Sequence, residues 1–282
     1  MSPQSMGENV TVIGCGYVGS VLAEYWQQQG HTVTGTTTRP ERLAELQAVL
    51  AQAKIVRGYE PEEVAAACQG QDVVVIGVAP PRGQRGDLDV YRATYLPIAP
   101  NLAQLIASSS TAPYVVYLSS CSVYGDRQGH WVDETALIQP ANEHSAILHE
   151  AEQALLQATP TACILRLAGI YGPGRELLKR YGNLAGQTLP GKGDRVINWI
   201  HLADIVGAIE FARANHLTGI YNVVDDSEMS VRQQVDLVCT SHQLSPVSWD
   251  ESQPAQVTKS LRVRNTKLKA VGYTLLYPKL IV

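Results

Sequence analysis

With 282 residues, the chain can bury the core of one large domain or of two closely joined ones. Charged residues make up 17% and apolar ones 45%, as in ordinary globular proteins, and a formal charge of −4 offers no basic field, which argues against nucleic acid as a partner. No run approaches the roughly 20 apolar residues that cross a bilayer, and the polar first residues lack a secretory apolar stretch, so a cytoplasmic location without a membrane partner is expected.

Residues 9–13 predict a first strand, and glycines then lead into a helix over 20–29 that Gly30 stops. A second strand is expected over 31–37, followed by a helix from Pro40 to about Ala53, since proline suits a first helical turn. A short third strand over 54–57 and a helix over 62–68, stopped by Gly70, come next. Residues 72–78 are apolar on both faces, as a central parallel strand requires. A long helix is expected over 88–109, bent near Pro97 and Pro100, then a fifth strand over 114–119, a helix over 142–157 and a sixth strand over 162–167. Such alternation with short connections predicts an α/β fold with a doubly wound parallel sheet.

After Gly169 the rhythm breaks into shorter elements rich in glycine and proline. Residues 8–168 are therefore expected to form the sheet domain, to which 195–224 return, with 169–194 and 225–282 as a smaller, partly inserted lobe. The basic run 259–269 alternates with apolar residues and reads as a solvated strand face. Cys15, Cys68, Cys121, Cys163 and Cys239 show no CxxC pair and no metal-ligand spacing, so free thiols, a reducing compartment and no metal are expected.

Gly14-Cys15-Gly16-Tyr17-Val18-Gly19 is a GxGxxG that follows a strand and opens a helix, a context that makes an otherwise weak motif specific. The first glycine turns the chain, the second lets the backbone approach a pyrophosphate, and the third lets helix pack on strand. This is the cofactor loop of a Rossmann sheet. At the end of the second strand, NAD would call for a carboxylate to hold its ribose 2′-hydroxyl. The chain has Gly35-Thr36-Thr37-Thr38-Arg39 there, with Arg42 a turn further on. Thr37, Arg39 and Arg42 suit a 2′-phosphate, so NADP(H) is the expected cofactor and NAD(H) the alternative. Val78 and Ala79, ending the fourth strand, complete the cofactor residues.

Several segments resemble the extended short-chain dehydrogenase/reductases, the NAD(P)-dependent epimerases and dehydratases. Ser119-Ser120-Cys121-Ser122-Val123-Tyr124-Gly125 follows the fifth strand as that family's serine motif does. The segments Leu165 to Gly174, Ile197 to Asp204 and Gly219 to Asp226 resemble its later motifs, in order. Three departures stand out: Ile13 replaces a first glycine, Gly58-Tyr59 replaces Gly-Asp, and alignment on Glu152 puts His144 at the catalytic tyrosine and Leu148 at the catalytic lysine. The pattern is that of the atypical branch, which lacks the YxxxK pair.

The resemblance implies that Ser120 holds a substrate carbonyl or hydroxyl. His144, whose imidazole can both give and take a proton, could exchange the proton that the missing phenol would have carried. Tyr124, Tyr171 and Arg166 are expected to be structural, and Asp204, beside His201, to cap a helix. An oxidoreductase or epimerase/dehydratase-like enzyme on a small or nucleotide-linked substrate is the leading reading. A non-catalytic NADP(H)-binding sensor or partner-binding protein is the alternative. The assembly state is not legible, a homodimer being one that the sequence permits.

Overall fold

A computed structural model describes residues 7–108, 111–257 and 259–282; the expectations for the first residues and for the end of the long helix at Ser109 lie outside them. Strand β1 (Asn9–Ile13) is buried from Val10 onward and leads into helix α1 (Tyr17–Gln28), which buries Leu22, Ala23 and Trp26. Strand β2 (Thr32–Thr37) and helix α2 (Pro40–Val49) follow, then β3 (Gln52–Ile55), α3 (Pro61–Cys68) and the wholly buried β4 (Val73–Ile76). Next come α4 (Leu88–Tyr95), α5 (Ile98–Ser108), β5 (Tyr114–Ser120), β6 (Trp131–Val132), α6 (Glu143–Ala158) and β7 (Cys163–Leu167). The remainder is β8 (Gly169–Tyr171), α7 (Leu177–Tyr181), β9 (Thr188–Pro190), β10 (Trp199–His201), α8 (Leu202–Asn215), β11 (Gly219–Val223), α9 (Val231–Ser241), β12 (Ser248–Asp250), β13 (Arg262–Val263) and α10 (Thr266–Ala270).

The central sheet is a seven-stranded Rossmann-type parallel sheet in the order β3-β2-β1-β4-β5-β7-β11. Its strand order reverses between β1 and β4, and in such sheets ligands bind beyond the carboxyl ends of the strands at that reversal. Val10 pairs with both Val33 and Val73, so β1 is flanked on both sides and its valines and isoleucine are removed from water. Prolines 40 and 61 open α2 and α3, where an amide would have no helical partner anyway. Asp87 caps α4 through the amides of Asp89 and Val90, and Asn142 caps α6 through that of Ser145.

Three element expectations need correction. Helix α2 stops at Val49 instead of near Ala53, which moves β3 forward. The cause is Gln27 of α1, whose amide donates to Val49 O at 2.7 Å while its carbonyl accepts from Ala51 N at 2.7 Å, a hook no local pattern reveals. The long helix is two, α4 and α5, interrupted at Leu96-Pro97, where Pro97 has no N–H to bond a carbonyl of the preceding turn. The basic run splits between β13 and α10, with Lys269 paired to Asp226 at 2.6 Å.

The chain divides into two compact units. The first comprises the described residues through Ser119, with 142–165 and 209–220. It holds most of the central sheet and helices α1 to α6. The second comprises 120–141, 166–208 and 221–282. Its strands pair in twos, β8 with β10, β9 with β12 and β6 with β13. They surround a core containing Tyr171, Tyr181, Trp199, Val235 and Val238. All five cysteines are free and buried, as expected. Among the described residues no helix is long and apolar enough to cross a membrane, and no group of three His, Cys, Asp or Glu side chains could hold a metal ion.

Candidate cofactor cradle and active site

In the first unit, α1 begins at Tyr17, inside the glycine motif rather than at Ser20. Gly14 has φ +95°, and a Cβ there would lie 2.8 Å from Gly77 O and 3.0 Å from Val78 N, so this glycine brings the loop against the end of β4. A Cβ on Gly19 would lie 2.3 Å from Gly14 O, which makes it the close contact between helix and strand. Gly16 differs. It is exposed, and an added Cβ would meet no atom within 4 Å. It is also the N-cap residue of α1 and supplies no side-chain cap to the first-turn amides, which have no intrahelical acceptor. A dinucleotide pyrophosphate fits this arrangement: room over Gly16, helix-start amides, and no carboxylate in the first turn of α1.

The loop is tied to β2. Cys15 N donates to Thr36 O at 2.7 Å, and Gly14 N donates to Thr36 Oγ1 at 3.0 Å. Burial pushes the Cys15 thiol up to about 11, so it is a neutral packing group. Thr37 is buried at the strand end, and its hydroxyl accepts from Arg39 N at 3.2 Å. Arg39 is exposed and only 3.9 Å from Glu41, a loose pair. Arg42 reaches Ser20 Oγ at 3.4 Å from Nη2 and Glu45 at 3.6 Å from Nε. The structure thus gathers the glycine loop, Val78, Thr37 and Arg42 in one region of the first unit, with Arg39 beside Thr37.

His144 lies in the first turn of α6, its ring 4.7 Å from that of Tyr91 at 84°. Leu148, one turn on, is buried. Glu152 is fully buried and accepts from Ser119 Oγ at 2.5 Å, with His149 Nδ1 at 3.6 Å. Tyr91 and Tyr95 pack at 4.8 Å, and Tyr117 on β5 is buried; burial holds all three phenols above their ordinary range. These phenols escaped the sequence reading. The available signal was composition, thirteen tyrosines against a single phenylalanine.

In the second unit, Ser120 is half-buried at the end of β5, and its hydroxyl accepts from Ser122 N at 3.1 Å, which fixes the turn that follows. Tyr124 donates to Asn222 Oδ1 at 2.8 Å, and Arg166 stacks 4.9 Å from the Tyr124 ring, both buried as the structural reading expects. Burial raises the Tyr124 phenol to about 12 despite the guanidinium beside it. A cavity of about 940 Å³ is lined by Arg180, Arg195, Arg262, Tyr181 and Trp249, with Asp126 and Asp194. Arg195 is held below its usual range by burial and by the charge of Arg180. Neither Arg180 nor Arg195 has a carboxylate at ion-pair distance among the described residues.

These features sit where a family comparison can be made. A profile of the NAD dependent epimerase/dehydratase family matches residues 10–223. The chain belongs to that family. Protein YeeZ of Escherichia coli strain K12 is 32% identical over 223 residues, 77% of each chain. The structure of a functionally unknown conserved protein from Silicibacter pomeroyi DSS superposes with a TM-score of 0.75 and 27% identity, covering 96% of this chain and 95% of that one. MoeE5, solved in complex with UDP-glucose and NAD, superposes with a TM-score of 0.75 over 95% of this chain and 93% of its own, and at 20% identity the likeness is one of fold. The match to the epimerase/dehydratase family spans the cradle, β5, β7, β8, β10 and β11, on which the motifs that carried the resemblance lie. One expected role changes within it. Asp204 does not cap α8; its carboxylate accepts from Leu276 N at 2.6 Å and Tyr277 N at 2.9 Å, while His201 Nδ1 accepts from Ala203 N at 3.2 Å at the helix start. The short side chain meant for a cap instead anchors the C-terminal segment of the second unit.

Proposed function

We propose that this protein is an NADP(H)-dependent oxidoreductase or epimerase/dehydratase-like enzyme acting on a carbonyl or hydroxyl of a small or nucleotide-linked substrate. The observation that carries the reading is the open space over Gly16 at the start of α1, tied through Cys15 and Thr36 to a strand end bearing Thr37, Arg39 and Arg42. Arg39 and Arg42 are loosely engaged, and no carboxylate precedes Glu41 after β2, which supports a 2′-phosphate and hence NADP(H) over NAD(H). A dinucleotide held by Gly14 to Gly19 would supply hydride chemistry at the carbon bearing the substrate oxygen.

The chain's own residues then have separable tasks. Gly14 through Gly19, with Val78 and Ala79, receive the pyrophosphate and adjoining groups. Ser120 holds the substrate oxygen by its hydroxyl, and His144 carries the proton to or from that oxygen. Arg180 and Arg195, two guanidinium groups without a carboxylate partner in a large cavity, support a substrate with phosphoryl groups. MoeE5 binds such a molecule. The test is spectrophotometric: oxidation of NADPH with a panel of carbonyl compounds and 4-keto nucleotide sugars, beside cofactor titration. Turnover supports the enzyme. One feature favours a second reading, a non-catalytic cofactor-binding protein: the resemblance puts Leu148, a buried apolar residue, at the position of the family's lysine. Tight NADPH binding without turnover across the panel would select it.

A further inference from the structure

The first turn of α6 is gripped by α4 through two adjacent contacts within the first unit. Arg92 Nη2 donates to Glu143 Oε2 at 3.2 Å, and beside it His144 meets Tyr91 with ring centroids 4.7 Å apart and planes at 84°. Both helix starts are fixed by their own caps, Asp87 and Asn142, so the two rings meet on elements whose ends are already set. Tyr95 backs Tyr91 at 4.8 Å. His144 Nε2 is buried and makes no conventional hydrogen bond. Native proteins rarely leave a buried polar nitrogen so, and each such atom asks for an explanation. A perpendicular ring pair at this separation is the geometry in which an N–H points into an aromatic face. Such a contact accepts the Nε2 proton without an oxygen acceptor. It also sets the tautomer, because the nitrogen that holds the proton determines which one stays bare.

We propose that Tyr91 is the positioning residue of His144, its ring face receiving Nε2–H so that Nδ1 is left as the nitrogen that exchanges the proton. The inference rests on the reading of His144 as the proton carrier. In the oxidising direction the substrate O–H bond breaks and its proton forms a bond to Nδ1, giving an imidazolium that the Tyr91 ring stabilises as a cation over a π face. In the reducing direction the Nδ1–H bond breaks and the proton ends on the alkoxide, restoring the neutral Nε2–H form. Tyr95 and the Arg92–Glu143 pair keep Tyr91 and α6 in register while this occurs.

The experiment is imidazole ¹⁵N NMR on uniformly labelled full-length protein, with His144→Gln assigning the resonances. The wild type should show neutral His144 as a single Nε2–H tautomer, with a bare Nδ1 and a ring-current-shifted Nε2 proton. Tyr91→Phe, which keeps the ring face, should preserve that signature, and Tyr91→Leu should collapse it to averaged shifts. Where a substrate turns over, Tyr91→Leu should also lower kcat about a hundredfold, the scale of a 1 Å misplacement, with cofactor affinity unchanged. A wild type with a bare Nε2, or a Tyr91→Leu spectrum identical to wild type, overturns the proposal. Should Tyr91→Leu not fold, Tyr91→Met, which fills the volume without an aromatic face, is read in its place by the same criteria. Full turnover by His144→Gln would remove His144 from the reaction while the tautomer result still decides whether Tyr91 sets the ring.

Discussion

Replacing Gly16 and Gly19 by alanine separates the cradle's function from its packing. At Gly16 a methyl group has nothing within 4 Å, so Gly16→Ala should fold with wild-type stability. The same methyl occupies the space over the first-turn amides of α1, where the pyrophosphate must approach. Losing one charge-assisted hydrogen bond costs about 1.5–3 kcal/mol, and every 1.4 kcal/mol is a factor of ten. NADPH affinity should therefore fall about tenfold to hundredfold. At Gly19 the methyl would stand 2.3 Å from Gly14 O, a backbone atom that cannot swing aside. The helix must lift from β1, an overpacking that costs about 1–3 kcal/mol. Calorimetric titration with NADPH and urea unfolding, run on both variants, read the two effects separately. A Gly16→Ala protein that binds NADPH as tightly as wild type would refute the placement of the phosphate. A Gly19→Ala protein of unchanged stability would refute the packing argument.

Other outcomes can be checked alongside. Arg39→Ala with Arg42→Ala should weaken NADP(H) about tenfold to hundredfold and NAD(H) little, as read by competitive titration; equal losses would sink the 2′-phosphate assignment. Asp225 has an unpartnered buried oxygen, and burial raises its carboxyl to about 7. Because the native state keeps a proton that the unfolded chain releases near pH 4, stability is lost as pH rises through 4 to 7, by up to about 4 kcal/mol. Asp225→Asn should therefore flatten the pH dependence of urea midpoints and gain most above pH 7, and an unchanged profile would contradict the burial argument. Asp204→Ala would remove the buried carboxylate that accepts from the amides of Leu276 and Tyr277, at about 1.5–3 kcal/mol for each charge-assisted hydrogen bond, and hydrogen exchange at those two positions should rise sharply.

The central sheet was legible because β4 is an unbroken apolar run, β1, β5 and β7 are mostly apolar, and most connections are marked by Gly, Pro or a capping side chain. Val73 to Ile76, a short apolar run ended by Pro80-Pro81, read as a buried strand, and the glycine loop was legible from its place between a strand and a helix. What escaped the reading was non-local. The hook by which Gln27 ends α2 links residues more than twenty positions apart, and α2 carries no stop signal of its own. The second unit is built from strands of two and three residues that pair over long separations, as Trp131 does with Arg262, too short for any periodicity to develop. The Tyr91–His144 contact joins helices whose packing no spacing rule connects, and Asp204 sits where a cap would stand but turns its carboxylate to a segment seventy residues on.

The most direct test of the account is a structure determined with NADP(H) bound. It should place the pyrophosphate over Gly16 at the start of α1 and the 2′-phosphate between Arg39 and Arg42 at the end of β2. A dinucleotide seated elsewhere, or one whose 2′-phosphate points away from both arginines, would contradict it.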